Sequence, residues 1–91
     1  METKNDIFSE HLAEWLAAKG DRRRRGELGR AIAHIANIHR KSVSRSFRRV
    51  QMQDAEAAGR VFELLMGNEV APRREFIIDS SGQLSREAID A

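Results

Sequence analysis

The sequence predicts a mainly α-helical protein, a small domain of four to five short helices with room for one short extended segment near residues 47–53. Three observations predict this class. Apolar residues recur at helical spacing in separate stretches, Gly20, Gly67 and the single proline fall between those stretches, and the one strand-like segment has no convincing partner strand. The chain has 91 residues and no cysteine, so its core is modest and lacks disulfide support.

The first helix is predicted from residue 5 or 6 to residue 19. Its apolar face has the spacing i, i+4, i+7, i+8 and consists of Phe8, Leu12, Trp15 and Leu16. Asn5 or Asp6 can cap the free amides of the first turn, and Gly20 allows the left-handed backbone that ends many helices. We expect Trp15 to be a core residue, with an exposed, partner-binding indole as the alternative.

An arginine-rich connector is predicted between the first helix and the second. Four consecutive arginines at positions 22–25 point in all directions around a helix, so we expect a loop or a frayed helix start there. The second helix is predicted over residues 27–38, with an apolar stripe of Leu28, Ala31, Ile32 and Ile35. Gly26 and Gly29 weaken its start by about 1 kcal/mol each relative to alanine. Residues 1–44 would thus form a basic helical segment.

The stretch over residues 39–53 allows two secondary structures. Val43, Phe47 and Val50 have the spacing of a short helix that Ser42 could cap. Residues 47–52 also carry enough β-branched and aromatic character for a strand. Because an isolated strand is not stable, we expect mainly helix, with an extended stretch near residues 49–53. The choice between helix and strand for residues 44–52 stays open.

The remaining elements are predicted from clear boundary residues. Asp54 caps a helix that Gly67 stops, and its apolar face is Ala55, Ala58, Val61, Phe62 and Leu65. Pro72 suits the first position of another helix, which carries Phe76 and Ile77 and ends by residue 80. Residues 80–83 are a turn, and residues 84–91 are a short helical piece or a tail. We expect residues 1–44 and 45–91 to form one compact unit.

The net charge of +2 hides an uneven distribution along the chain. Residues 1–50 hold 12 Lys and Arg against 6 Asp and Glu, a balance of +6, whereas residues 51–91 hold 4 against 8, a balance of −4. A basic half of this kind favours nucleic acid or another acidic partner. The alternatives are that the two halves attract each other, or that the charges simply lie on solvated faces.

The pattern over residues 31–50 is typical of a helix-turn-helix. An apolar helix ends near Ile38, and a second helix could begin at Ser42. Ser42, Ser44 and Arg45 would then lie where a recognition helix meets base edges. Asn37 stands where the turn usually carries glycine, and asparagine tolerates the left-handed backbone. Contacts with phosphates are predicted for Arg40, Lys41, Arg48 and Arg49. The alternative is an ordinary helical hairpin with a basic exterior.

A longer motif, SFRRVQMQDAEAAGRVFELLMGNEVAPRREFI, begins at residue 46 and ends at residue 77. It resembles the C-terminal end of the B-type subunits of bacterial type IIA DNA topoisomerases, gyrase B and its topoisomerase IV equivalent. The resemblance covers about residues 45–91, including the closing AIDA. The matching residues are Asp54, Ala55, Ala58, Phe62, Leu64, Leu65, Met66, Gly67, Val70, Arg73, Arg74, Phe76 and Ile77.

The resemblance implies a DNA- or topoisomerase-associated protein, or an end-piece of such a subunit. DNA and the A-type topoisomerase subunit are the partners it implies, with Arg73 and Arg74 as candidate contacts. In the family a short strand comes directly before the helix that matches the one starting at Asp54. The resemblance therefore favours a strand over residues 47–52. Whether the chain acts as an independent protein or as a fragment stays open.

The motifs that carry the family's chemistry are not found in this sequence. It has no Asp-x-Asp pair, no Glu-Gly-Asp-Ser motif and no glycine-rich phosphate loop, so we expect no catalysis by the isolated chain and no metal or other cofactor. His11, His34 and His39 have no carboxylate pair or third ligand at a suitable spacing. No stretch approaches a membrane span or a signal-peptide core, and we expect a cytoplasmic protein.

Overall fold

The computed structural model describes residues 3–67 and 76–86, and within them the backbone is mainly α-helical, as predicted. The described part contains four α-helices: α1 (Lys4–Ala17), α2 (Arg22–Ala36), α3 (Arg40–Phe47) and α4 (Ala55–Gly67). A 3₁₀ turn, Met52–Asp54, leads directly into α4. The predicted helix start at Pro72 lies outside the described residues.

Helix α1 begins earlier than predicted because Thr3, not Asn5 or Asp6, is its N-cap. The Thr3 hydroxyl accepts the Asp6 backbone N–H at 3.1 Å, and the Asp6 carboxylate accepts the Thr3 backbone N–H at 2.9 Å. This reciprocal capping box satisfies two amides that a helix start leaves without partners. The backbone donor of Thr3, followed by its hydroxyl, lowers the pKa of Asp6.

Helix α2 begins with the four arginines, so the loop alternative and the start at residue 27 were wrong, whereas the alternative that placed them at a helix start was right in position. The Asp21 carboxylate accepts the Arg24 backbone N–H at 3.1 Å and caps the helix. Arg24 also forms an ion pair with Glu14 of α1 at 2.6 Å. At the other end, Asn37 adopts the left-handed conformation with φ 52° and ψ 40°, as the sequence allowed.

The core is organised by an aromatic cluster that contains all four phenylalanines of the chain. Phe8 of α1 stacks on Phe62 of α4, with ring centroids 4.7 Å apart and planes 8° from parallel. Phe47 meets Phe8 edge-on at 5.4 Å and Phe76 edge-on at 5.6 Å. Offset-stacked and edge-on pairs of this kind add stability beyond the burial of their area.

Helices α1 and α4 approach closely at Gly59. A Cβ at this position would lie 2.6 Å from the side-chain oxygen of Asn5 and would also clash with the Ser9 hydroxyl. Glycine here lets the two helices come near enough for Phe8 and Phe62 to stack. The buried face of α4 contains Ala55, Ala58 and Phe62, as its spacing predicted.

The backbone between α3 and α4 is turn-like, so a strand over residues 47–52 was the wrong choice. Helix α3 runs through Phe47, and the Val50 N–H donates back to the Phe47 carbonyl at 3.1 Å. Extended backbone is found at Gln51, with φ −81° and ψ 150°. Helix was therefore right for residues 44–47, and the extended part is shorter than expected.

Residues 76–79 do not form the helix that was predicted to end by residue 80. Ile78 is fully buried, and its N–H donates to the Ser46 carbonyl near the end of α3 at 3.0 Å. Such carbonyls have no partner inside their own helix, so this bond satisfies an acceptor and ties the segment to α3. Ile78 also forms an isolated antiparallel bridge with Leu84. The helix prediction was wrong because the backbone of this segment bonds to the end of α3, which is distant in the sequence, and not to its own preceding turn.

The predicted turn at residues 80–83 is confirmed, and Asp79 organises it. The Asp79 carboxylate accepts the Ser81 hydroxyl at 2.7 Å and the Gln83 backbone N–H at 3.1 Å. These donors, with the Ser81 hydroxyl the strongest, lower the pKa of Asp79. Gly82 has φ 75° and is buried, so the turn packs closely on the start of α4.

We predict that Gly82→Ala destabilises the protein. The left-handed backbone costs an alanine about 1–2 kcal/mol, and its Cβ would lie 2.9 Å from the Asp54 carbonyl oxygen. Urea unfolding followed by circular dichroism should show a lower midpoint. The control is Gly20→Ala, whose Cβ meets no atom within 4 Å. Equal midpoints for the parent and Gly82→Ala would contradict the packing of this turn on α4.

Candidate nucleic-acid interface

The candidate interface is built on α3, whose two faces differ in composition. Val43, Ser46 and Phe47 are buried and fix the helix against the core. The opposite face and the turn that follows are exposed and basic: Arg40, Lys41, Arg45, Arg48 and Arg49, with Ser44 among them. The aromatic cluster therefore holds one face of α3 inward and leaves the cationic face in solvent.

The cap of α3 differs from the predicted one. His39 is the N-cap, and its Nδ1 accepts the Lys41 backbone N–H at 3.2 Å. Ser42 lies inside the first turn, is half-buried, and donates its N–H to the His39 carbonyl at 2.8 Å. The prediction that Ser42 caps the helix was therefore wrong. His39 therefore has a structural role as the N-cap of α3.

The predicted contact residues differ in solvent exposure and in their interactions within the molecule. Ser44 and Arg45 are exposed on α3, whereas Ser42 is half-buried. Arg45 and Arg49 also take part in interactions inside the molecule. Arg73 and Arg74, the other predicted contacts, lie outside the described residues.

The α2–α3 pair has the element order of a helix-turn-helix. Three residues, 37–39, separate the two helices, and the Ile38 N–H donates to the Ala33 carbonyl at 3.1 Å. The left-handed Asn37 makes the sharp turn possible. The second helix has 8 residues, and its basic face carries both Ser44 and Arg45.

Sequence reasoning missed a groove between α2 and α3. It has a volume of about 320 Å³, and its lining combines residues of both helices with Trp15 of α1. The Arg25 guanidinium carbon lies 3.9 Å from the centre of the Trp15 ring. The sequence signal for its arginines is Asp21: once this residue is recognised as a cap, the arginines fall into a regular helix. The residues that line the groove are Trp15, Arg22, Arg25, Gly26, Gly29, Arg30, Arg40, Val43 and Ser44.

The described residues contain neither a metal-binding cluster nor a membrane-spanning helix. Residues 3–67 and 76–86 contain no group of three or more His, Asp or Glu side chains placed to hold a metal ion. None of the helices in this part of the chain is long and apolar enough to cross a membrane.

Comparison with known families finds a match that covers the candidate interface. The family described as DNA gyrase B subunit, carboxyl terminus, matches residues 40–78. This segment is similar to the C-terminal end of gyrase B. The match runs from α3 through α4 to Ile78, and it leaves α1, α2 and residues 79–91 outside. The resemblance seen in the sequence is confirmed for this segment.

Individual relatives also match over a short length. The chain is 64% identical over 33 residues to the DNA gyrase B subunit of Thermus thermophilus, covering 36% of this chain and 5% of that protein. It is 59% identical over 34 residues to the DNA gyrase B subunit of Synechocystis sp., covering 37% of this chain and 3% of that protein. The type 2 topoisomerase B subunit of Aquifex aeolicus is 50% identical over 34 residues, covering 37% of this chain and 4% of that protein.

The chain thus spans only a few per cent of the length of the curated relatives it matches. No solved structure matches the chain. The comparisons therefore relate one segment of the molecule to the end of a topoisomerase B-type subunit, and the basic face of α3 belongs to that segment.

Proposed function

We propose that this chain is a DNA-associated, non-catalytic protein of the type IIA topoisomerase B-subunit kind, and that the exposed face of α3 meets the DNA backbone. The observation that carries the proposal is the position of the cationic face within the gyrase-B-like segment. An A-type topoisomerase subunit is the protein partner in this proposal, and the cytoplasm is its location.

The chemistry of the face suits phosphates. Arginine offers planar donors that match phosphate oxygens, and lysine offers a compact charge. No carboxylate occurs between Arg40 and Arg49, so the cations of this stretch are not neutralised by neighbours in sequence. Contacts of this type position a protein on DNA without reading its sequence. Non-specific binding then has a dissociation constant of roughly 10⁻⁴–10⁻⁶ M at physiological salt.

We predict that Lys41→Ala together with Arg48→Ala weakens binding to duplex DNA of any sequence. Each phosphate contact contributes about 0.9 to the slope of log affinity against log salt, so the slope should fall by roughly 1.8. Fluorescence anisotropy with a labelled duplex across a salt series measures both quantities.

The matched control also removes two positive charges, through Arg23→Ala and Arg60→Ala. These arginines pair with Glu27 and Glu56 and lie away from α3. Equal losses of affinity in both double variants would reject α3 as the contact face. A parent protein that shifts no DNA at low salt and captures no A-type subunit in a pull-down would reject the proposed function itself.

The second candidate function is a helix-turn-helix module that reads DNA sequence through residues 31–50. The observation in its favour is the three-residue turn with Asn37 in the left-handed conformation, followed by an exposed Ser44 and Arg45. In this case α2 would cross the backbone and α3 would enter the major groove.

This candidate predicts a preferred sequence in a selection from random duplexes. Arg45→Ala together with Arg49→Ala should then abolish the preference, because a base contact contributes about 1–3 kcal/mol of discrimination. Competition between the selected and scrambled duplexes measures the effect. An unchanged preference in the double variant, or no preference in the parent, rules out sequence reading by these residues.

A further inference from the structure

We propose that the groove between α2 and α3 is a second nucleic-acid contact, a site for the phosphodiester backbone formed by Arg22, Arg30 and Arg40 beside Trp15. This inference rests on the proposed association with DNA and extends it to the first half of the chain. That half lies outside the gyrase-B-like segment.

The groove is formed because one side of α2 has an unusual composition. Positions 22, 25, 26, 29 and 30 recur at i, i+3, i+4, i+7 and i+8, which places them on one stripe of the helix. The stripe reads Arg, Arg, Gly, Gly, Arg, and all five residues line the groove with Arg40 and Ser44 of α3. The cations thus flank a floor to which Trp15 contributes its ring and the two glycines contribute only backbone.

The charge of the groove is not balanced inside the described part of the chain. Arg23 and Arg24, on the other side of α2, pair with Glu27 and Glu14. In contrast, no carboxylate lines the groove. Within residues 3–67 and 76–86, neither Arg22 nor Arg30 forms an ion pair, and the same holds for Arg40. Like charges held together in a groove favour a bound anion.

Trp15 makes the floor rigid. It is 3% exposed, and the Arg25 guanidinium carbon lies over its ring at 3.9 Å, so the cation is held by a cation–π contact. The indole Nε1 faces α2, 3.6 Å from where a Cβ at Gly29 would lie.

Gly26 has no structural reason to be glycine. A Cβ there would meet no atom within 4 Å, and Gly26 is exposed inside a helix that glycine weakens. Its effect is to leave the helix backbone open between Arg22 and Arg30. A ligand that needs close access to this surface would explain the glycine.

The nucleic-acid backbone fits these features better than an acidic peptide does. The groove is continuous with α3 through Arg40, so the basic surface extends to Lys41 and Arg48 and suits a long polyanion. Trp15 is too deeply buried to stack on a base, which indicates that phosphates and sugars, rather than bases, occupy the groove. Binding there should therefore be independent of sequence.

Two groove variants test the proposal in the full-length chain. Arg22→Gln with Arg30→Gln removes two cations, and Gly26→Leu fills the floor without changing charge. We expect the slope of log affinity against log salt for a labelled duplex to fall by about 1 for each arginine removed. Gly26→Leu should weaken binding about fivefold or more while helix content and urea midpoint stay equal or rise. Arg23→Gln with Arg60→Gln is the control of equal charge.

Trp15 is the single tryptophan of the chain, so its fluorescence reports directly on the groove. Duplex DNA should change the emission of the parent at a concentration that matches the anisotropy curve, and the change should be lost in both groove variants. Poly-glutamate of similar charge should compete weakly. If it changes the emission as strongly as DNA does, the groove is a site for an acidic protein and the proposal is wrong.

The failure of this site is distinguishable from the failure of the proposed function. If Lys41→Ala with Arg48→Ala weakens DNA binding but the groove variants match their control, α3 meets DNA and the groove does not. If no variant changes the affinity, neither surface binds DNA.

Discussion

The stacked pair of Phe8 and Phe62 is the interaction on which the rest of this structure depends. Phe8 belongs to the first half of the chain, and Phe62 belongs to the segment that resembles the end of gyrase B. The stack needs the close approach of α1 and α4 at Gly59, and Phe47 and Phe76 close the cluster around it. Because α3 is held by Phe47, the direction of its basic face follows from the same cluster.

Basic and acidic side chains lie on different surfaces of the folded chain, as well as in different halves of its sequence. The groove between α2 and α3 is lined by arginines without a carboxylate, whereas a second groove, at α1 and the start of α4, is bordered by Asp6, Glu10 and Glu56. The two halves meet where α1 packs on α4, through Phe8 and Phe62. The Arg24–Glu14 ion pair joins α2 to α1 within the first half, and both of its side chains are about half exposed. An exposed pair of this kind contributes little stability, about 0–1 kcal/mol. Apolar packing of Phe8 on Phe62 joins the two halves.

The sequence was sufficient to predict where the helices lie. It was not sufficient to predict where they begin and end, or that a groove forms between two of them. Apolar spacing located α1, α2 and α4 because each buries one stripe. The starts of α1 and α2 were missed because side-chain caps at Thr3 and Asp21 decide them. The segment at Ile78 was predicted as helix from a local proline signal, but its partner is the distant Ser46 carbonyl. The groove depends on which side of α2 meets α3, and spacing within one helix does not contain that information.

The most direct test of this account is whether the gyrase-B-like segment folds without the first half. Residues 40–91 should be prepared as a separate fragment and compared with the full chain by far-ultraviolet circular dichroism and urea unfolding. The account predicts that the fragment has little helix and no cooperative transition, since α4 loses Phe8 and the whole of α1. Adding a peptide of residues 1–39 should restore helix content. A cooperative transition of the fragment alone, at the urea concentration that unfolds the full chain, would contradict the central role of the Phe8–Phe62 stack.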